Sequence, residues 1–132
     1  MPFVLDASAA ATWCFSDEQD RAADRAFDRL TTDEALVPQL WWFEIRNVLI
    51  VNERRGRVSA ADTAAFLRDL GRLPIRVDGN PGERLVLALA RKHGLTVYDA
   101  AYLELAVRLD APVASVDRAL NAASRSAGVG IV

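Results

Sequence analysis

The stretch that decides the fold covers residues 95–117 and reads LTVYDAAYLELAVRLDAPVASVD. Its first part places apolar residues three and four positions apart, a spacing that predicts one face of a helix. Asp99 stands where this helix is expected to begin, and an acid at that point can cap free N–H groups. Pro112 closes the helix, and residues 113–116 predict a short buried strand with Asp117 at its carboxyl end.

A second strand with a terminal acid lies at the start of the chain. Residues 3–5 are apolar and Asp6 follows directly. In open parallel α/β sheets, ligands bind just outside the carboxyl ends of the strands. We therefore expect Asp6 and Asp117 at one sheet edge, with Asp99 brought there by its helix. Ser8 either faces the same edge or only caps the helix that follows it.

The remaining chain alternates short apolar segments with amphipathic helices, which indicates an α/β chain. Further strands are predicted at 35–37 and 75–77, with a possible terminal strand at 130–132. Helices are predicted over 7–15, 18–30, 39–54, 59–70, 81–93 and 118–126.

Length and composition define the class of protein. The 132 residues are enough for one domain, which we place at 1–132. A hydrophobic share of 52% excludes a disordered chain, and no apolar run approaches the ~20 residues of a membrane span. Cys14 is the only cysteine, so no internal disulfide forms and the expected location is cytoplasmic. The net charge of −2 argues against a strongly cationic nucleic-acid binder.

Glu44 is a fourth candidate for the acidic edge. It falls on the apolar side of the helix predicted at 39–54, where an uncompensated carboxylate is costly. Either an arginine pairs with it in a buried salt bridge, or it points at the edge that holds the other acids. Asn47, one turn further on, either bonds a carboxylate or a metal-bound water, or makes an ordinary contact between helices.

The four acids together suit the binding of a hard divalent metal ion. They offer only oxygen donors, which suit Mg²⁺ or Mn²⁺ and disfavour zinc. Close carboxylates repel without a cation, and a hard divalent ion activates water and neutralises a phosphate, as phosphodiester hydrolysis requires. The single histidine, His93, leaves no Ser-His-Asp or Cys-His arrangement. Phosphate-accepting receiver domains and DxDx phosphatases fit poorly, because Ala7 and Ser8 follow the first acid.

A short arginine-rich loop is a candidate RNA contact. Arg54, Arg55 and Arg57 flank Gly56. Such a loop is either a solvated turn or, near a phosphate site, a clamp on the nucleic-acid backbone.

Four motifs together resemble the PIN-domain ribonucleases, in particular the VapC toxins of bacterial toxin–antitoxin pairs. They are VLDAS at 4–8, FEIRNVL at 43–49, LTVYDAAYLELA at 95–106 and VASVD at 113–117. The third motif is the most specific. The resemblance implies a three-layer α/β fold with a central, mostly parallel sheet flanked by helices. It also implies an endoribonuclease that depends on Mg²⁺ or Mn²⁺, with the acids at its centre and hydroxyls of Ser8 and Ser115 beside them. The acids concerned are Asp6, Glu44, Asp99 and Asp117.

The resemblance also implies an RNA substrate, a homodimer, and a small antitoxin that covers the active-site groove. Trp42 and Ile50 lie on the side of their helix away from Glu44, so they form either a partner surface or a face covered within the chain. Two alternatives remain: a PIN nuclease of RNA maturation without an antitoxin, and an inactive PIN-like module that binds RNA or protein.

Overall fold

The structure is a computed structural model that describes residues 1–132. Four strands alternate with seven helices along the chain. The elements are β1 (Phe3–Leu5), α1 (Ala7–Thr12), α2 (Arg21–Arg29), β2 (Ala35–Pro38), α3 (Leu40–Arg54), α4 (Ala60–Leu70), β3 (Ile75–Asp78), α5 (Glu83–His93), α6 (Val97–Leu109), β4 (Val113–Ala114) and α7 (Arg118–Ser126).

The four strands form one parallel sheet in the order β3-β2-β1-β4. Val4 pairs with Leu36 on one side and Val113 on the other, so β1 is central and its carboxyl end adjoins that of β4. The sheet is flanked by helices, and the predicted α/β fold is confirmed, with every strand parallel. The predicted terminal strand is reduced to a single parallel bridge between Ile131 and Val113.

Helix α6 lies in the core, which explains why its sequence decides the fold. It packs on β1, β2 and β4 and against α5 and α7. Its buried residues leave almost no polar face: they are Ala100, Tyr102, Leu103, Glu104, Leu105 and Ala106. Burial of this apolar surface is the main favourable term that holds the helix on the sheet. The strand β1 is likewise buried throughout.

The sequence places Asp99 at a helix cap and Asp117 at a strand end, but in the structure Asp117 is the one of the two that caps a helix. Thr96 is the cap of α6, because its Oγ1 accepts a 3.1 Å hydrogen bond from the Asp99 N–H. Asp99 therefore lies in the first turn rather than at the cap. Strand β4 ends at Ala114, earlier than predicted, and Asp117 caps α7 by accepting a 2.9 Å hydrogen bond from the Ala119 N–H.

Several predicted helix ends shift because of local caps. Helix α2 begins after Asp20, whose carboxylate accepts bonds from the N–H groups of Ala22 and Ala23. Helix α4 begins, as predicted, after Ser59, which forms a capping box with Asp62. Helix α1 ends at Thr12, three residues short of the prediction, and α5 begins at Glu83. None of the helices combines the length and apolar character that a membrane crossing requires.

Candidate active site

Asp6 lies at the carboxyl end of β1 and is the most deeply placed of the four acids. Only 5% of the residue is exposed. Its Oδ2 accepts two short hydrogen bonds, from Ser8 Oγ at 2.6 Å and from Ser115 Oγ at 2.7 Å. Burial raises the pKa of Asp6, the two hydroxyls lower it, and the charge of Asp117 raises it further, so the net shift is upward.

The two serines tie β1 to the loop between β4 and α7. Ser115 Oγ accepts a 2.9 Å bond from the Asp117 N–H, and Ser8 Oγ accepts a 3.2 Å bond from the Val116 N–H. The carbonyl oxygen of Ser115 accepts from the Asn121 side chain at 2.9 Å. Both serines lie beside Asp6, and each donates its hydroxyl proton to that carboxylate.

Glu44 reaches the same edge from α3 and is half-buried. The Tyr102 hydroxyl donates a 2.5 Å hydrogen bond to Glu44 Oε1. Burial raises the pKa of Glu44, the Tyr102 bond lowers it, and the charges of Asp6 and Asp99 raise it. No arginine pairs with Glu44, so the salt-bridge alternative is wrong.

Asp99 completes the set from α6. Partial burial raises its pKa, as do the charges of Asp117 and Asp6, while the bond with Thr96 lowers it. Each of the four acids thus interacts electrostatically with at least one of the others at one edge of the sheet. None of the four takes part in an ion pair with Arg, Lys or His. The edge therefore carries negative charge that no cationic side chain compensates.

The donor set fits a hard divalent cation in its chemistry. All four side chains offer carboxylate oxygens, the ligands that Mg²⁺ and Mn²⁺ prefer. In the structure, no three Asp, Glu, His or Cys side chains come close enough together to hold a metal ion. Three of the acids have one oxygen engaged in hydrogen bonds, namely Asp6, Glu44 and Asp117.

The remaining predicted residues make no ion pair or hydrogen bond with the four acids. Asn47 is exposed and its side chain makes no hydrogen bond. Arg54 and Arg55 are exposed at the far end of α3, and ten residues of helix separate Arg54 from Glu44 by about 15 Å.

Arg57 is held in an ion-pair network instead of being free for a ligand. Its guanidinium donates to Asp17 at 2.9 Å, to Glu18 at 3.3 Å and to Asn52 Oδ1 at 2.7 Å. The same group lies 4.4 Å from the centre of the Phe15 ring. These contacts join the loop after α3 to α3 itself and to the loop between α1 and α2, so they give Arg57 a structural role.

Tyr102 is the site residue that reasoning from sequence missed. It is fully buried, and burial, the charge of Asp6 and the Glu44 bond all raise the pKa of its hydroxyl. One signal was available, because Tyr102 stands three residues after Asp99 and so shares a face of α6 with it.

The family model for the PIN domain matches residues 3–125, and the chain belongs to the PIN-domain family. Within that family it is similar to Ribonuclease VapC3 of Pyrobaculum aerophilum. The two are 32% identical over 123 residues, which cover 91% of this chain and 92% of that protein. The resemblance to VapC-type PIN ribonucleases that the four motifs indicate is therefore confirmed.

A solved structure supports the fold. The crystal structure of PAE2754 from Pyrobaculum aerophilum matches with a TM-score of 0.77 and covers 100% of this chain and 88% of that one. At 23% identity this likeness concerns the architecture alone.

Proposed function

We propose that this chain is a metal-dependent endoribonuclease and the toxin of a type II toxin–antitoxin pair. We treat residues 1–132 as one nuclease domain, supported by a single core cluster of 29 buried residues. The observation that carries the proposal is the uncompensated negative charge at the sheet edge. Burial and the charges of neighbouring carboxylates raise the pKa values of Asp6, Glu44 and Asp99, and none of the four acids has a cationic partner, so a divalent cation would be stabilising there. Similarity to a ribonuclease of the VapC type supports the substrate class.

Asp6, Glu44, Asp99 and Asp117 would hold Mg²⁺ or Mn²⁺. When bound, such an ion neutralises phosphate charge and lowers the pKa of water, which together promote phosphodiester hydrolysis. No histidine or lysine makes an ion pair or hydrogen bond with any of the four acids, so no imidazole or amine is held beside them as a base for an RNA 2′-hydroxyl.

Neighbouring hydroxyl groups position two of the four acids by hydrogen bonds. Ser8 and Ser115 donate to Asp6, which favours its ionised form despite burial. Tyr102 fixes the orientation of Glu44 from a neighbouring helix. Asp6 and Glu44 thus have positioning partners on other elements of the fold.

Incubation with defined RNAs tests the activity. Purified protein should cleave one or more of a tRNA, an rRNA fragment and an mRNA with Mg²⁺, and EDTA should abolish cleavage. Mapped products should carry a 5′-phosphate and a 3′-hydroxyl, because water is the nucleophile. Products with 2′,3′-cyclic phosphates would contradict the mechanism. Binding without cleavage would favour the inactive-module alternative.

Expression in a bacterial host tests the toxin role. The chain expressed alone should arrest growth, and Asp6→Ala or Asp99→Ala should relieve the arrest. Asp28→Ala, an exposed acid on α2, is the matched control and should remain toxic. An equally expressed and equally toxic Asp99→Ala variant would show that toxicity does not come from this site. Cleavage without growth arrest would favour a role in RNA maturation.

The partners belong to the same proposal. The exposed part of α3 carries large apolar side chains, with Trp42, Phe43 and Ile50 exposed by 48%, 69% and 41%. Such a patch fits a protein partner, and we assign it to a homodimer or to the antitoxin. A cytoplasmic location follows from this role. A neighbouring small gene that encodes a DNA-binding antitoxin would separate the toxin from a maturation nuclease.

A further inference from the structure

A cavity of about 260 Å³ lies beside the acidic edge, at the carboxyl ends of β2 and β3. Pro38, the last residue of β2, lines it, and β2 is the neighbour of β1, which ends next to Asp6. Neighbouring strands are about 5 Å apart. Tyr98 also lines the cavity and directly precedes Asp99. The cavity is therefore next to the proposed cleavage site.

Three charged side chains, joined by hydrogen bonds, form a polar wall of this cavity. Glu104 is only 1% exposed and accepts a 3.1 Å bond from the Gly82 N–H. Arg108 donates to Glu104 at 2.5 Å through Nε and to Asp78 at 2.7 Å through Nη2. Arg108 lowers the pKa of Asp78, so that carboxylate stays ionised. Both carboxylates already accept hydrogen bonds from Arg108, so the acceptor of this wall that a ligand can still reach is the partly exposed Asp78.

Gln39 supplies a free amide to the same cavity. Its side chain makes no hydrogen bond within the chain, so its donor and acceptor atoms are both available. Gly79 lies against it, since a Cβ at Gly79 would be 3.4 Å from Gln39 Nε2. Tyr98 is 67% exposed and offers an aromatic face for stacking. Apolar walls come from Pro38, Leu40, Pro81 and Leu105.

These features match one chemical class of ligand. The volume is below the ~300–1,000 Å³ of sites for drug-sized molecules, so the cavity suits a single flat ring system. The net negative charge of Glu104, Asp78 and Arg108 disfavours a phosphate. The free Gln39 carbonyl and the partly exposed Asp78 favour a neutral group with N–H donors. Carboxylates accept hydrogen bonds from exocyclic amino groups of bases, and aromatic rings stack on bases of unpaired RNA.

We propose that this cavity binds one unpaired nucleobase with an exocyclic amino group, next to the scissile phosphate. The assignment rests on the proposed nuclease function and adds a base preference to it. Adenine, cytosine and guanine carry the required amino group, and uracil does not. A substrate with uracil at that position is therefore the poor one.

Titration with uncharged nucleosides, monitored by NMR without divalent metal, tests the cavity independently of cleavage. At least one of adenosine, cytidine and guanosine should shift the signals of the Gln39 amide, Gly82 and Ala101 saturably. Uridine should bind roughly fivefold or more weakly than the best of them, and Gln39→Ala and Tyr98→Leu should each weaken binding by roughly fivefold or more. Gln19→Ala, an exposed glutamine before α2, is the control and should bind as wild type does.

Two results would overturn the assignment. One is the absence of saturable shifts at the cavity with all four nucleosides, and the other is binding of uridine equal to that of the best nucleoside. Cleavage of a randomised single-stranded RNA tests the effect on activity. Gln39→Ala should reduce the base preference at one position next to the cleaved bond and leave the other positions unchanged. Nucleoside binding at the cavity without RNA cleavage would uphold this assignment and reject the nuclease function, so the two failures are distinguishable.

Discussion

The Tyr102 hydroxyl lies 2.5 Å from Glu44 Oε1 and donates a hydrogen bond to it. The two residues are 58 positions apart and lie on α6 and α3. Tyr102 is fully buried, while Glu44 is only half-buried. The bond thus joins the core helix to the helix that carries the fourth acid, and it holds one carboxylate oxygen in a fixed position.

Replacing Tyr102 by phenylalanine should change the pKa of Glu44 while the protein still folds. The Tyr102 bond lowers the pKa of Glu44, so removing it should raise that pKa further. If cleavage needs ionised Glu44, the acidic limb of the pH–activity profile should move to higher pH. Removal of the hydrogen bond should cost about 1–2 kcal/mol of folding stability.

The control is Tyr98→Phe, which removes a hydroxyl from the exposed side of the same helix and keeps its ring. That variant should keep the wild-type pH profile. An unmoved acidic limb in Tyr102→Phe, with cleavage intact, would show that Tyr102 does not act through Glu44.

Ser115→Ala should weaken metal binding by making Asp6 harder to ionise. The hydroxyl of Ser115 lowers the pKa of Asp6, and it also accepts the Asp117 N–H, so the variant leaves Asp6 with one hydroxyl donor instead of two and the Asp117 N–H without its acceptor. We expect stability to fall by about 1.5–3 kcal/mol and the response to Mn²⁺ to weaken. Ser124→Ala is the matched control, because Ser124 is buried in α7 and bonds only the Leu120 carbonyl. Equal Mn²⁺ responses in the two variants would contradict a role for Ser115 at the site.

The metal-free protein should lose stability as pH rises above the ordinary pKa range of carboxyl groups. Asp6, Glu44 and Asp99 all have raised pKa values in the folded state. Between the unfolded pKa and the folded pKa, the native state therefore binds more protons than the unfolded chain, and stability falls with pH across that window. Below the unfolded pKa the contribution is fully present.

Melting curves at about pH 5.5 and about pH 7.5 check this sign. Without metal, Asp99→Asn should be more stable than wild type at the higher pH, because it removes one repelling charge. Mn²⁺ at about a hundred times its dissociation constant should stabilise wild type by about 2.7 kcal/mol. If Asp99→Asn melts at a lower temperature than wild type without metal, Asp99 serves mainly to stabilise the first turn of α6.

The arginines at the carboxyl end of α3 and in the loop after it should differ in what their replacement changes. Replacing the exposed Arg54 and Arg55 by glutamine should flatten the salt dependence of RNA binding, by a slope of about 0.7 for each phosphate that is no longer neutralised. Arg57→Gln should instead lower folding stability, because it breaks the bonds to Asp17, Glu18 and Asn52. An unchanged salt slope in the double variant would assign that segment to a solvated turn.

The parallel sheet and the acids are predictable from sequence because both depend on local patterns. A short apolar strand followed by an acid is visible at Asp6, and strand pairing then brings such ends together. The cap of α6 is also within reach, since Thr96-Val97-Tyr98-Asp99 has the Thr-x-x-acid pattern of a capping box. The prediction of Asp99 as the cap overlooks this pattern and therefore misplaces the helix start.

Contacts between distant segments are not predictable in the same way. The Tyr102–Glu44 bond and the Arg57–Asp17 ion pair join residues that are 58 and 40 positions apart. No spacing rule links such positions, because their meeting depends on how the helices pack on the sheet. The polar wall of Glu104, Arg108 and Asp78 is a mixed case, since its first two members are four residues apart on one helix and the third comes from β3.

The most direct measurement is a Mn²⁺ titration of the metal-free protein by isothermal calorimetry at neutral pH. Wild type and Asp28→Asn should bind Mn²⁺ with the same affinity, because Asp28 is exposed on α2 and unconnected to the acids. Asp99→Asn should bind roughly tenfold or more weakly, a difference of at least about 1.4 kcal/mol. Equal Mn²⁺ affinity in Asp99→Asn and wild type would contradict the claim that the four acids form one cation site.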